Sequence, residues 1–405
     1  MRRYFHDVPK RSGTHSWPWL WVLFAVALWS VLFAPTAVRG QTGELSLPNN
    51  PLRGRLLFEG KSCYECHQFR GEGTGPDLIE GNFSGSFLDL GASLWNHVPG
   101  MTVQHELHSV SWPTLSADEV VELLSFLYYL DYLGRPGDEL RGSTLFETEG
   151  CSACHASRGG QVPVGPSLAE LTRFASPLYV AQAIWNHGPN MLRSLKERGM
   201  VPPHFREGDL ADIAAHLRRQ DQGGLRERLL LAPGDPNHGR SLFVNKGCAT
   251  CHGKSGGGAP DLNDADLHRS AEALAGNMWN HALEMNDAMR EEGIEWPNFT
   301  TSELADLIAY LYFLPFSDPA GDPVRGKLVF VSRACADCHG GRQSSSHPGP
   351  ELTGEKVAGS PAAMVAAMWN HAPMMKEVIL EEGRPWPRLT GADLRDLLAY
   401  LRQPQ

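Results

Sequence analysis

The pattern Cys-x-x-Cys-His occurs four times, as Cys63-Tyr64-Glu65-Cys66-His67, Cys151-Ser152-Ala153-Cys154-His155, Cys248-Ala249-Thr250-Cys251-His252 and Cys335-Ala336-Asp337-Cys338-His339. These pentads use all 8 cysteines of the chain. Any fold it adopts must therefore present two thiols and an imidazole four times over, at intervals of 88, 97 and 87 residues. Residues three apart share one side of a helical turn. The two sulfurs can thus reach along one edge of a porphyrin, and the histidine that follows turns towards its iron. The pentad reads as a site of covalent c-type haem attachment, with the cysteines as the bonded positions and His67, His155, His252 and His339 as proximal ligands. Two readings compete. A structural zinc site needs four ligands, usually two cysteine pairs close in sequence, and pairs this far apart would have to recruit distant partners. A thioredoxin-like redox pair needs a βαβ setting, and none surrounds any copy.

Length alone, 405 residues, suggests about three domains, but the repeat overrides it and gives four units of about 85–95 residues. Units this small bury little apolar surface, and a haem in each supplies much of the missing core. The net charge is −10 with 20% charged residues and no basic block, so nucleic acid is excluded as a partner. Arg2, Arg3, Lys10 and Arg11 precede a hydrophobic run from about Trp17 to Ala37. Residues 1–40 therefore read as a signal peptide or a membrane anchor. Either way the remainder is expected to be exported, to the periplasm or the periplasmic face of the inner membrane, with the positive end left in the cytoplasm. The leader carries +4, leaving −14 on the rest, a balance that favours basic or neutral docking partners.

Each unit repeats the same signals. A Gly nine residues and a Phe five residues before the first Cys mark a short amphipathic helix running into the pentad (Gly54 and Phe58, Gly142 and Phe146, Gly239 and Phe243, Gly326 and Phe330), with the Phe expected on haem or core. After each pentad come Gly75-Pro76, Gly165-Pro166, Ala259-Pro260 and Gly349-Pro350. The proline carbonyl can accept the Nδ1–H of the proximal histidine and so orient the ring. Then come Trp95-Asn96-His97, Trp185-Asn186-His187, Trp279-Asn280-His281 and Trp369-Asn370-His371, each followed four residues later by Met101, Met191, Met285 or Met375. An amphipathic helix closes each unit, with capping boxes expected at Ser116/Glu119 and Thr300/Glu303. Trp112, Trp296 and Trp386 each precede a proline before that helix, and unit two is read as having Val201-Pro202 there. The recurring tryptophans are expected to pack on porphyrin. The predicted architecture is all-α: four tandem domains at 50–135, 136–222, 234–318 and 320–405. Short joints should keep chain neighbours together, and the longer middle joint, about Asp221 to Asn237, suggests a two-plus-two arrangement.

From Gly54 through Leu133, and again in each later unit, this order of signals resembles a class I cytochrome c domain. The resemblance covers nearly all of residues 50–405. It implies that Met101, Met191, Met285 and Met375 are the distal iron ligands. One departure is that about ten residues separate each methionine from the Trp-Pro before the closing helix, where the family usually places proline directly after methionine. His97, His187, His281 and His371 therefore stand as alternative distal ligands, whereas His105 and His108, without counterparts, are read as surface residues. The function implied is a tetrahaem c-type cytochrome, with four covalent haem c groups relaying single electrons between redox proteins or within a respiratory complex. The alternative is a haem enzyme of peroxidase or sulfur-compound oxidase type, with unit two the first place to look.

Overall fold

A computed structural model describes residues 50–68, 73–78, 83–157, 164–168, 176–218, 234–253, 258–263, 265, 267, 269–340, 349–352 and 355–403. The apolar leader and the Leu229-Leu230-Leu231 run of the middle joint lie outside the described residues. Among the described residues there is no strand, and no helix is long and apolar enough to cross a membrane. The fold is all-α.

Three helices recur in each unit. The entry helices span Arg53–Gly60, Glu139–Thr148, Pro236–Asn245 and Pro323–Ser332, and the closing helices Ala117–Tyr132, Asp209–Arg218, Thr301–Phe313 and Gly391–Leu401. Between them run the long helices Phe87–His108, Pro177–Glu197 and Pro361–Glu381, which in unit three are two consecutive pieces, Ala271–Asn280 and Ala282–Glu291. The pentads sit on one helical turn after each entry helix, Cys63–Glu65, Cys151–Ala153, Cys248–His252 and Cys335–His339. A left-handed residue makes the corner before each: Gly150 and Gly247, but also Ser62 and Ala334 at φ 62°, where a side chain costs roughly 1–2 kcal/mol. The expected capping boxes are present at Ser116/Glu119 and Thr300/Glu303, Thr390/Asp393 forms a third on a closing helix, and Ser86/Asp89 caps the long helix of unit one in the same way.

The repeated glycine has a steric reason. Entry and closing helices cross there so closely that a Cβ on Gly54, Gly142, Gly239 or Gly326 would lie 1.9–2.0 Å from the carbonyl oxygen of Glu122, Asp212, Asp306 or Asp396. The repeated phenylalanine packs on a ring of the same closing helix: Phe58 on Phe126, Phe146 on His216, Phe243 on Tyr310 and Phe330 on Tyr400, with centroids 5.5–6.3 Å apart. The residue before each glycine adds an ion pair to the crossing, Arg53 to Glu122, Arg141 to Asp212, His238 to Asp306 and Arg325 to Asp396. One dipeptide thus supplies the charge and the close approach, and the ring follows four residues on.

Four units are arranged two plus two, but chain order does not choose the partners. The long helix of unit one lies on that of unit four, with Gly91 against Val365. The long helix of unit two lies on the first piece of unit three's. Units one and three then meet through their closing helices, where Tyr128 and Tyr312 each donate a hydroxyl hydrogen bond to the other's backbone carbonyl. Phe87 meets Phe316 edge-on at 5.7 Å, and Asp318 accepts from the Leu88 N–H at 3.0 Å. The short joints do tie chain neighbours, with Arg135 on Asp212 and Arg395 on Asp318. They do not choose the clamped partners: unit two clamps its chain neighbour three, while unit one clamps unit four. The reach of the joints permits the crossing, and the apolar and hydrogen-bonding faces of the long helices decide it.

Candidate cofactor site

In every unit the pentad histidine is half-buried and its Nδ1 lies against the carbonyl of the following proline: His67 to Pro76 at 3.2 Å, His155 to Pro166 at 3.0 Å, His252 to Pro260 at 3.1 Å and His339 to Pro350 at 2.8 Å. A carbonyl only accepts, so Nδ1 carries the proton and the Nε2 lone pair is left for a metal. The chain approaches the ring so tightly that a Cβ on Gly75, Gly165 or Gly349 would sit 2.6–2.7 Å from it. Unit three has Ala259 at that place. All eight cysteines are free thiols, neither fully buried nor fully exposed. Burial pushes the first of each pair, Cys63, Cys151, Cys248 and Cys335, up to about 11, so none is a ready thiolate at neutral pH. Among the described residues, no three His, Cys, Asp or Glu side chains come together as a metal cluster. Shared zinc sites between pentads therefore lack a geometry. Two adjacent thiols beside an oriented imidazole, repeated four times, fit a covalently held haem.

The Trp-Asn-His stretch does two jobs. Its histidines, His97, His187, His281 and His371, are exposed, and each Nδ1 bonds the carbonyl four residues back in its own helix at 2.6–2.9 Å. The methionines one turn further, Met101, Met191, Met285 and Met375, are half-buried and pack on the core. His108 is exposed, but His105 is half-buried, with its ring 5.1 Å from Trp112 and its Nδ1 3.0 Å from the Val110 carbonyl.

The Trp and Asn face the partner unit, whereas the sequence pattern predicts the tryptophans against porphyrin. Asn96 clasps the backbone of Leu389 at both ends, Nδ2 to O at 2.7 Å and N to Oδ1 at 3.0 Å. Asn370 does the same to Leu115, Asn186 to Phe299 and Asn280 to Phe205. The indole N–H of Trp95 donates to Pro387 O, Trp369 to Pro113 O, Trp185 to Pro297 O and Trp279 to Pro203 O. The Trp of each Trp-Pro completes the clamp by stacking on the partner's Trp: Trp386 on Trp95, Trp112 on Trp369 and Trp296 on Trp185, all at 4.2 Å. Trp279 shows that unit two's counterpart of Trp-Pro is Pro202-Pro203, one residue later than the sequence spacing suggested.

A proline explains what those stacking indoles bind. Pro99, Pro189 and Pro373 lie inside the long helices four residues after Trp95, Trp185 and Trp369. Having no N–H, each leaves the carbonyl four residues back without its helical donor. Those three carbonyls accept the indole N–H of Trp386, Trp296 and Trp112. Unit three has Leu283 in place of the proline, and its partner, unit two, has Pro202 in place of the tryptophan. Donor and acceptor are missing together.

The family model for Cytochrome c matches residues 140–221, 237–314 and 323–405. The chain belongs to the cytochrome c family. Three cytochrome c domains thus stand in tandem, and the first unit carries the same pentad, helices and clamp outside the matched segments. Cytochrome c domains bind haem covalently and serve electron transfer. No curated protein and no solved structure matches the chain.

Proposed function

We propose that the protein is a tetrahaem cytochrome c that relays single electrons between redox proteins at the outer face of a bacterial inner membrane or in the periplasm. Haem c supplies the Fe(II)/Fe(III) couple. The observation that carries the reading is the repeated, pre-oriented imidazole with two thiols beside it. Each proline carbonyl fixes the tautomer and tilt of its histidine and raises its basicity as a ligand. Met101, Met191, Met285 and Met375 are the better distal ligands, because they point into the core while the rival histidines face solvent with one nitrogen spent on their own helix. A thioether opposite histidine raises the potential relative to a second imidazole. The acidic body suits basic or neutral redox partners, with docking that weakens as salt rises. Unit two's departure from the other units, the one hint of an enzymatic haem, is accounted for by the pairing of Pro202 with Leu283.

Near-infrared magnetic circular dichroism of the purified holoprotein tests this. Met101→Ala is expected to convert one iron in four to high spin, with His97→Ala leaving all four unchanged. The reverse result would transfer the distal role to the histidines. Fewer than four haems per chain by absorbance would reject the tetrahaem reading.

A further inference from the structure

The arrangement of the units carries an inference about order. We propose, building on the four-haem reading, that electrons pass through the units in the order four, one, three, two, or the reverse, and not along the sequence. In units one, two and four the helix that carries the candidate methionine is the helix gripped by the partner unit, and in unit three the gripped piece, Ala271–Asn280, directly precedes the piece that carries Met285. Trp95 and Asn96, held by unit four, stand 6 and 5 residues before Met101. Trp369 and Asn370, held by unit one, stand equally far before Met375. The helices that carry the candidate methionines of units one and four therefore lie against one another, with two indole pairs at 4.2 Å at their contact. Units two and three repeat the arrangement with one stack, Trp185 on Trp296. The two pairs join where Tyr128 and Tyr312 bond reciprocally, so the bridge runs between units one and three. Units two and four are the ends of the path and are the places where outside donor and acceptor dock. Each hop oxidises one iron by one electron and reduces its neighbour by one. The external partners are single-electron redox proteins.

Pulsed dipolar EPR on the fully oxidised holoprotein reads this without turnover. Magnetic coupling between two ferric irons falls with the cube of their separation. The intact protein should show two equal short separations and one longer bridging one, whereas three equal steps would overturn the proposal. Two-haem variants made by Cys→Ser at the other pentads then assign them. Retaining units one and four, or two and three, should give the strong coupling. Strong coupling in a variant retaining units one and two, or three and four, would overturn the order. If these variants fail to mature, Trp386→Leu in the full four-haem protein keeps the test open. It should broaden one of the two short separations and leave the other, and a change in both or in neither would count against the clamp. A protein that holds fewer than four low-spin irons would instead overturn the tetrahaem reading underneath, which is a separate result.

Discussion

At the scale of single residues, the asparagine of each Trp-Asn-His is the most consequential side chain outside the pentads. Asn96 satisfies one backbone N–H and one carbonyl of Leu389, which is itself buried. Asn96→Ala removes two hydrogen bonds and leaves both groups unpaired, at a cost of about 2–3 kcal/mol. Thermal unfolding of the holoprotein should show it as a lowered midpoint, while the absorbance of all four haems stays that of the parent. The sequence displayed the recurrence of this asparagine but not its purpose. Its partner lies 293 residues away, and a hydrogen bond of that reach leaves no local periodicity to read. The proximal histidine was legible because pentad and proline lie close in the chain, so the donor and its carbonyl acceptor could be matched by eye. A signal for the clamp did exist. Pro99, Pro189 and Pro373 follow their tryptophans by four residues, and the unit without that proline is paired with the unit without the second tryptophan. It becomes readable once an in-helix proline is taken as a carbonyl released for someone else.

Among helices, the crossing of entry and closing helix governs each unit. Gly326→Ala would place a methyl carbon 1.9 Å from the Asp396 oxygen. The helices must then part, costing about 1–3 kcal/mol or more, which denaturant unfolding followed by circular dichroism can measure. Three units make the crossing ion pair with arginine, and unit three makes it with His238, 2.6 Å from Asp306. The hydrogen bond to Asp306 holds the His238 pKa above its ordinary value. Its folded pKa is raised, so the stability it adds is complete below the unfolded value near 6.5 and is lost as pH rises through the folded one. The unfolding midpoint should therefore fall across that window in the parent protein and fall less in His238→Arg, with the other units indifferent. The helices themselves were visible beforehand through the apolar spacing of Leu304, Leu307, Ile308 and Leu311, all buried. The reason for the glycines was not visible, because a backbone approach between segments some seventy residues apart appears in sequence only as an absent side chain.

For the whole molecule, two clamped pairs meet at a tyrosine bridge, with Phe87 on Phe316 and Asp318 on Leu88 beside it. Tyr128→Phe with Tyr312→Phe removes both reciprocal hydroxyl bonds while keeping the rings, which lie 4.9 Å apart. We expect a loss of about 1–3 kcal/mol, and a larger radius of gyration by solution scattering in mild denaturant, before either pair comes apart. Joint lengths alone did not reveal this layout, since a short joint limits how far two units can separate but not which face each one turns to the other. The clamp between the first and last units also has a consequence in time. Unit one emerges first during synthesis, and the residues that cover Trp95 and Trp369 come from opposite ends of the chain. Until residue 389 has been made and delivered, Asn96 has nothing to hold and the indole of Trp95 has neither its stacking partner nor its acceptor. Assembly of this clamp thus waits for residues 386–389, and a chain ended after unit three would lose the support of its first module along with its fourth.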